Sequence, residues 1–234
     1  MLSAKQVLVT GASSGIGRAL TLALARAEAS LHLVGRNSSA LTELARQARS
    51  WGAQAQTYTL ELTDDEAVKR FAETFPASLD ILVHSAGMVS LGTLKDASLA
   101  AFDAQYRLNV RAPYLLTQLL VTKLERTRGQ IVFVNSGAGL SARAEWGQYA
   151  ATKHALKAVA DSLRAEVAGS GVRVISVYPG RTASPMQAKV HEYEGKPYEP
   201  KKFIQPEDVA AVIVGALELP RTAEVTDVSV RPPG

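Results

Sequence analysis

Short, continuously apolar runs alternate along the whole chain with longer stretches of three- and four-residue apolar spacing, and this alternation limits the fold more than any other feature. Runs at residues 5–10, 30–35, 54–60, 80–85, 129–135, 172–178 and 225–230 predict seven strands. Several are apolar or β-branched at successive positions, as in strands covered on both faces of a parallel sheet. Between them, sets such as Leu20, Ala23, Leu24, Ala27 and Leu41, Leu44, Ala45, Ala48 predict helices with one apolar stripe. Repeated strand–helix–strand units with short connections predict right-handed crossovers and a doubly wound, mostly parallel α/β sheet with helices on both faces.

Helix-end signals support this division. Thr63 followed by Glu66 is a capping-box pattern, and Asp64 and Asp65 suit the positive end of the helix that follows. Pro206, Glu207 and Asp208 form a good helix start. One segment breaks the rhythm: residues 181–205 carry Pro185, Gly195, Pro197 and Pro200, and read as a long substrate loop or lid. The 234 residues show no composition shift, no repeat and no linker, so a single domain over 1–234 is expected. The closing Arg231-Pro232-Pro233-Gly234 follows soon after the last predicted strand, and no appended domain is expected.

Composition removes several classes of function. With no cysteine, the chain has no thiol catalysis, zinc ribbon or iron–sulfur cluster, and no metal site is expected. Its 26 basic and 22 acidic residues are interspersed, so the pI near 9.3 reads as a solvated surface and not as a nucleic-acid footprint. No segment approaches the roughly 20 apolar residues of a membrane span, and Val7–Val9 is too short for a signal-peptide core. A soluble cytoplasmic protein is expected.

The first strand runs into Thr10-Gly11-Ala12-Ser13-Ser14-Gly15-Ile16-Gly17, with a helical pattern directly after it. Glycines there permit a tight turn and close approach of a pyrophosphate, and the helix start directs free N–H groups at it. The spacing, G-x-x-x-G-x-G, resembles that of the short-chain dehydrogenase/reductase family, in its compact single-domain branch. The resemblance extends over nearly the whole chain. Tyr149-Ala150-Ala151-Thr152-Lys153 is similar to the family's Tyr-x-x-x-Lys signature, and Ser136, 13 residues earlier, stands where the family has its catalytic serine. Asn109 is similar to the family's helix asparagine, and Pro179-Gly180 to its turn after the sixth strand.

The resemblance implies a Rossmann-type fold and an oxidoreductase that interconverts a ketone or aldehyde and an alcohol by hydride transfer. It assigns Tyr149 as acid/base, Ser136 as the group that orients the substrate oxygen, and Lys153 as a partner of both the phenol and the ribose. Asn109 would hold a water in a proton relay. Residue chemistry is compatible: Tyr149 and Lys153, four apart on a helix, share a face. A free phenol titrates near 10, and a cation about 4 Å away supplies roughly the 4 kcal/mol needed to bring it towards neutrality. With the help of an oxidised nicotinamide's positive charge, a lowered phenol pKa is therefore expected.

For the cofactor, Gly35 occupies the position where NAD-using members carry a carboxylate, and Arg36 follows it. A guanidinium fork suits a 2′-phosphate, so NADP is expected over NAD, with Ser13 and Asn37 adding hydrogen bonds. The remaining cofactor contacts implied by the resemblance are Gly11, Ser14, Gly15, Ile16, Gly17, Glu61, Leu62, Ser85, Ala86, Gly87, Pro179, Gly180 and Thr182. Two positions depart from the family pattern: His84-Ser85 stands for a pair of asparagines, and Glu61-Leu62 for an aspartate. His84 is expected to be a satisfied core histidine.

Met88, Val89, Leu140, Trp146, Tyr178 and Met186 are expected near the reacting tyrosine, together with Ser136. Such a wall suits a hydrophobic or aromatic carbonyl compound or alcohol. Arg143 and Arg181 read as solvated rim charges, with capture of an anionic group as the other reading. Apolar helices near 101–124 and 146–168, the first carrying Pro113, are those related enzymes use for subunit packing, which implies a homo-oligomer, a dimer or a tetramer. The alternative reading of the same residues is a non-catalytic dinucleotide-binding sensor or scaffold with the same fold.

Overall fold

Strand side chains fill two separate cores, one on each face of the sheet. The computed structural model describes residues 2–232; Met1 and the predicted tail residues Pro233 and Gly234 lie outside the described residues. The seven strands are β1 Gln6–Thr10, β2 Ser30–Gly35, β3 Ala55–Thr59, β4 Ile81–His84, β5 Gln130–Val134, β6 Arg173–Pro179 and β7 Asp227–Val230. All pair in parallel, in the order β3-β2-β1-β4-β5-β6-β7. The helices are α1 Gly15–Arg26, α2 Ser38–Ser50, α3 Asp65–Thr74, α4 Leu99–Tyr106, α5 Ala112–Thr127, α6 Gly147–Val167, α7 Pro185–Tyr193 and α8 Pro206–Glu218.

Neighbouring strand residues point to opposite faces. Val7, Val9, Ile81, Val83, Val132 and Val134 enter one core, closed by α1, α2 and α8. Leu8, Leu82, Ile131 and Phe133 enter the other, closed by α3, α5 and α6. This explains the unbroken apolar runs: a strand covered on both sides needs a hydrophobe at every position. Each fully buried leucine contributes about 2 kcal/mol, so Leu8, Leu20, Leu24, Leu82, Leu116 and Leu120, all without exposed surface, anchor helices to sheet.

Three local expectations are corrected. Thr63 does not cap α3. The cap is Asp64, whose carboxylate accepts from the Ala67 N–H at 3.0 Å, while the Thr63 hydroxyl donates to Glu61 at 2.8 Å. The segment 181–205 is not a bare loop, because Ser184 caps α7 by accepting from Gln187 N–H at 3.1 Å, and Pro185 suits the first helical position. The predicted helix 101–124 is interrupted, since α4 and α5 are joined by a π-helical turn at Arg107–Arg111 and Pro113 sits in the first turn of α5. A missing N–H is harmless there, so the proline marks a fresh helix start and not a bend. At α8, by contrast, Gln205 and Asp208 complete a capping box around the expected start.

Candidate active site

Strand order reverses direction between β1 and β4, and open α/β sheets leave a crevice at such a point, beyond the carboxyl ends of the strands. The crevice here is a cleft of about 790 Å³ lined from the β1, β2, β4, β5 and β6 ends and roofed by α7. The turn from β1 to α1 forms its floor. Gly11 has φ +65, and a Cβ there would lie 2.7 Å from the Ala86 backbone. A Cβ on Gly17 would lie 2.4 Å from the Gly11 carbonyl oxygen, so this helix reaches its strand only because both positions lack side chains. Ser14 precedes α1 in extended conformation and its side chain does not cap the helix, which leaves the positive helix end facing the cleft.

Thr10, which the sequence reading passed over, fastens this floor. Its hydroxyl donates to the Val83 carbonyl at 3.2 Å and accepts from the N–H groups of Ser85 and Ala86 at 3.1 and 3.3 Å. A polar residue closing an apolar strand just before the glycine turn was the available signal.

Tyr149 and Lys153 project from α6 onto the wall of the cleft, with Ser136 facing them from the end of β5. Both are buried, at 6% and 4% exposure. The Lys153 Nζ lies 5.8 Å from the Tyr149 ring centroid and donates to the Val134 carbonyl at 3.2 Å. Burial lowers the lysine pKa to about 8. With the chain's own groups alone, burial pushes the Tyr149 pKa up, and the Ser136 hydroxyl beside it only partly opposes that. Loss of water costs the phenolate more than these neighbours return, so the resting tyrosine is protonated.

Asn109 lies behind this wall and does not line the cleft. Its amide is occupied on both sides: Oδ1 accepts from Met88 N–H at 2.9 Å, and Nδ2 donates to the Met88 carbonyl at 2.9 Å and to the Thr152 hydroxyl at 3.1 Å. Asn109 thus ties the segment after β4 to α6. The same two bonds pin the Met88 backbone, and Met88 is absent from the cleft lining, contrary to expectation. Val89, Leu140, Trp146, Tyr178 and Met186 do line it. His84 is a core residue as expected, its ring stacked on Phe133 at 4.9 Å and bonded to the Thr117 hydroxyl at 2.8 Å; burial lowers its pKa to about 3.

Gly11, Ser13, Ser14, Gly15, Ile16, Arg36, Asn37, Glu61, Leu62, Ser85, Ala86, Gly87, Pro179, Gly180 and Thr182 also line the cleft. Gly17 is not exposed to the cleft; its place is against Gly11. A Cβ on Gly35 would lie 3.4 Å from the Ser13 hydroxyl. The Arg36 guanidinium is 3.7 Å from the Glu61 carboxylate, and Asn37 caps α2 by accepting from Ala40 N–H at 3.0 Å.

Arg181 also departs from expectation. Arg181 is no solvated rim charge: it grips both Glu194 oxygens and stands within 3.2 Å of His191 Nε2. These hydrogen bonds hold the Glu194 carboxyl below the usual range. Glu194 follows the last turn of α7, so the clasp secures the roof to the turn after β6. Thirteen residues separate the partners, and no local spacing rule links them.

The cleft fits a dinucleotide in its chemistry: an uncapped helix start with glycines for a pyrophosphate, a guanidinium at one end, and a phenol and ammonium at the other. A family profile described as short chain dehydrogenase matches residues 5–195. The chain belongs to that family. A short-chain type dehydrogenase/reductase of Sinorhizobium fredii is 35% identical over 97% of this chain and 91% of its own. An oxidoreductase of Staphylococcus epidermidis is 32% identical over 97% of both chains. Among solved structures, an alcohol dehydrogenase from the archaeon Thermococcus sibiricus, complexed with 5-hydroxy-NADP, superposes with TM-score 0.88 at 26% identity, covering 97% of this chain and 96% of that one. A metagenomic short-chain oxidoreductase in complex with NADP gives 0.85 at 29% identity, covering 100% and 99%. This short-chain dehydrogenase has an all-parallel Rossmann-like sheet, and none of its described helices is long and apolar enough to cross a membrane.

Proposed function

We propose that this short-chain dehydrogenase is an NADP(H)-dependent oxidoreductase that interconverts a hydrophobic ketone or aldehyde and its alcohol. The observation that carries the reading is the Tyr149 phenol, buried beside Lys153 and Ser136 on the wall of the cleft that the glycine turn opens. Bound in that cleft, the nicotinamide supplies or accepts the hydride.

The chain's own residues handle the proton. Ser136 and Tyr149 present hydroxyls to the substrate oxygen and orient it. As the carbonyl carbon gains hydride, the Tyr149 hydroxyl gives its proton to the oxygen. The phenolate left behind is compensated by the Lys153 ammonium, whose charge the buried wall screens poorly. In oxidation the tyrosinate takes the alcohol proton. Asn109 is a positioning residue, acting through the backbone of Met88 and through Thr152. Leu140, Trp146 and Met186 exclude water from the reacting end.

NADP is supported by Gly35 and Arg36 together. Gly35 offers no carboxylate to repel a 2′-phosphate, and Arg36 presents a cation at the adjoining edge. Exposed Tyr106 and Tyr114, beside the α4–α5 junction, support the self-association expected for the family. The test is a panel of aromatic and aliphatic ketones followed by NADPH absorbance, together with direct titration of NADPH against the Trp146 fluorescence. Turnover of at least one ketone class with NADPH supports the reading. Tight NADPH binding with no turnover across the panel overturns it in favour of a dinucleotide sensor.

A further inference from the structure

The Arg143 guanidinium lies over the Trp146 ring, 4.0 Å from its centroid, on the lining of the cleft. Trp146 meets Tyr149 edge-on, with centroids 5.9 Å apart. Two ring contacts therefore lead from the proton donor to a cation. Stacking fixes the plane of a guanidinium and leaves its N–H donors available, because those donors lie in that plane.

The charges around Arg143 are unequal. Among the described residues, Arg143, Arg181 and Lys196 all approach one carboxylate, that of Glu194. Both Glu194 oxygens accept hydrogen bonds from Arg181. Arg143 stands 3.8 Å away, beyond hydrogen-bond range. Glu194 therefore satisfies Arg181 and leaves Arg143 oriented but without a hydrogen-bonding partner. At 54% side-chain exposure, Arg143 is open to a ligand from the cleft and still held by the ring beneath it. The walls leading to it, Val89, Leu140 and Met186, are apolar.

We propose that the substrate is a carbonyl acid: an apolar spacer lies along Leu140 and Trp146, and a carboxylate at its far end is bound by Arg143. A single planar fork carrying one charge matches a carboxylate in shape and in charge. Arg143 changes no bond in the redox step; it selects the substrate and sets the distance between its anionic end and Tyr149. The inference rests on the carbonyl reduction proposed above.

The test compares 4-oxo-4-phenylbutanoate with its methyl ester, which share the reacting ketone and the ring. Wild-type kcat/KM with NADPH is expected to favour the acid by about tenfold, the low end of what a charged hydrogen bond contributes, chiefly through KM. Added salt is expected to shrink the advantage. In Arg143→Gln the acid-to-ester ratio falls towards one, and Arg143→Lys restores part of it. An ester reduced as well as the acid, or a ratio that survives Arg143→Gln, overturns the inference and leaves carbonyl reduction standing. Should neither compound turn over, binding decides. 4-Phenylbutanoate and 4-phenylbutanamide are titrated against the NADP complex, and the inference fails if the acid binds no tighter or if its advantage does not depend on Arg143.

Discussion

Lys153 Nζ stands 5.8 Å from the centroid of the Tyr149 ring, and both groups are buried on the cleft wall. Their burial acts on the two in opposite senses: it keeps the phenol protonated and makes the ammonium easier to discharge. A tyrosine in this state holds its proton more tightly than a free phenol, and the positive charge beside it stabilises what donation leaves.

Tyr149→Phe removes the proton donor and keeps the ring that meets Trp146. Ketone reduction should fall by about 10²–10⁴-fold, the usual contribution of a positioned general acid, with NADPH affinity and melting temperature nearly unchanged. Wild-type turnover in this variant, on a substrate the parent reduces, removes Tyr149 from the chemistry.

Lys153→Met should abolish turnover and yet raise stability at neutral pH. The ordinary lysine pKa of 10.5 falls to about 8 in the native protein. Above 10.5 neither state carries the charge; as pH falls through 8 the native state must accept a buried ammonium. That cost is on the order of 3 kcal/mol at pH 7, partly offset by the bond to Val134. Thermal melts should show the variant more stable at pH 7, with the difference shrinking as pH rises from 8 to 10.5.

His84 acts in the same sense in a more acidic window. Its pKa drops from 6.5 to about 3 in the fold, so the unfolded chain binds the proton first as pH falls below 6.5. This one group removes about 1.4 kcal/mol of stability per pH unit between those values. Denaturant titrations of His84→Asn at pH 6 and pH 4 should lose less stability than the parent by that slope. An unchanged slope would mean the ring is not held neutral.

Arg36→Asp should weaken NADPH binding by about tenfold or more, the worth of one charged hydrogen bond, and shift preference towards NADH. Fluorescence titration with both dinucleotides reads the ratio directly; an unaltered ratio takes the 2′-phosphate contact away from Arg36.

The five inner strands were legible because a strand buried on both faces leaves a nearly unbroken apolar run, as Ile81–His84 does beside Gln130–Val134, whereas the edge strands β3 and β7 are largely exposed. The glycine turn and the Tyr149–Lys153 pair were legible because their spacing is local. What escaped depended on contacts between distant residues or on competition between neighbours. Thr63 carried the capping-box spacing, but its hydroxyl is engaged by Glu61 and the neighbouring Asp64 takes the cap. Prolines in 181–205 suggested a loop, although Pro185 begins a helix that Arg181 and Glu194 lock in place. Met88 lay next to the right residues in sequence, but its backbone is claimed by Asn109.

The two ends of the site stand on different foundations. Helix α1, which carries the dinucleotide turn, rests on Leu20 and Leu24 in one core, whereas α6, which carries Tyr149 and Lys153, rests on Leu156 and Ala160 in the other. Only the thickness of a single β-layer joins them. A void opened beneath α1 should therefore loosen the grip on the nucleotide and leave the acid seated, and one opened beneath α6 should do the reverse, so that affinity and chemistry can be adjusted one at a time.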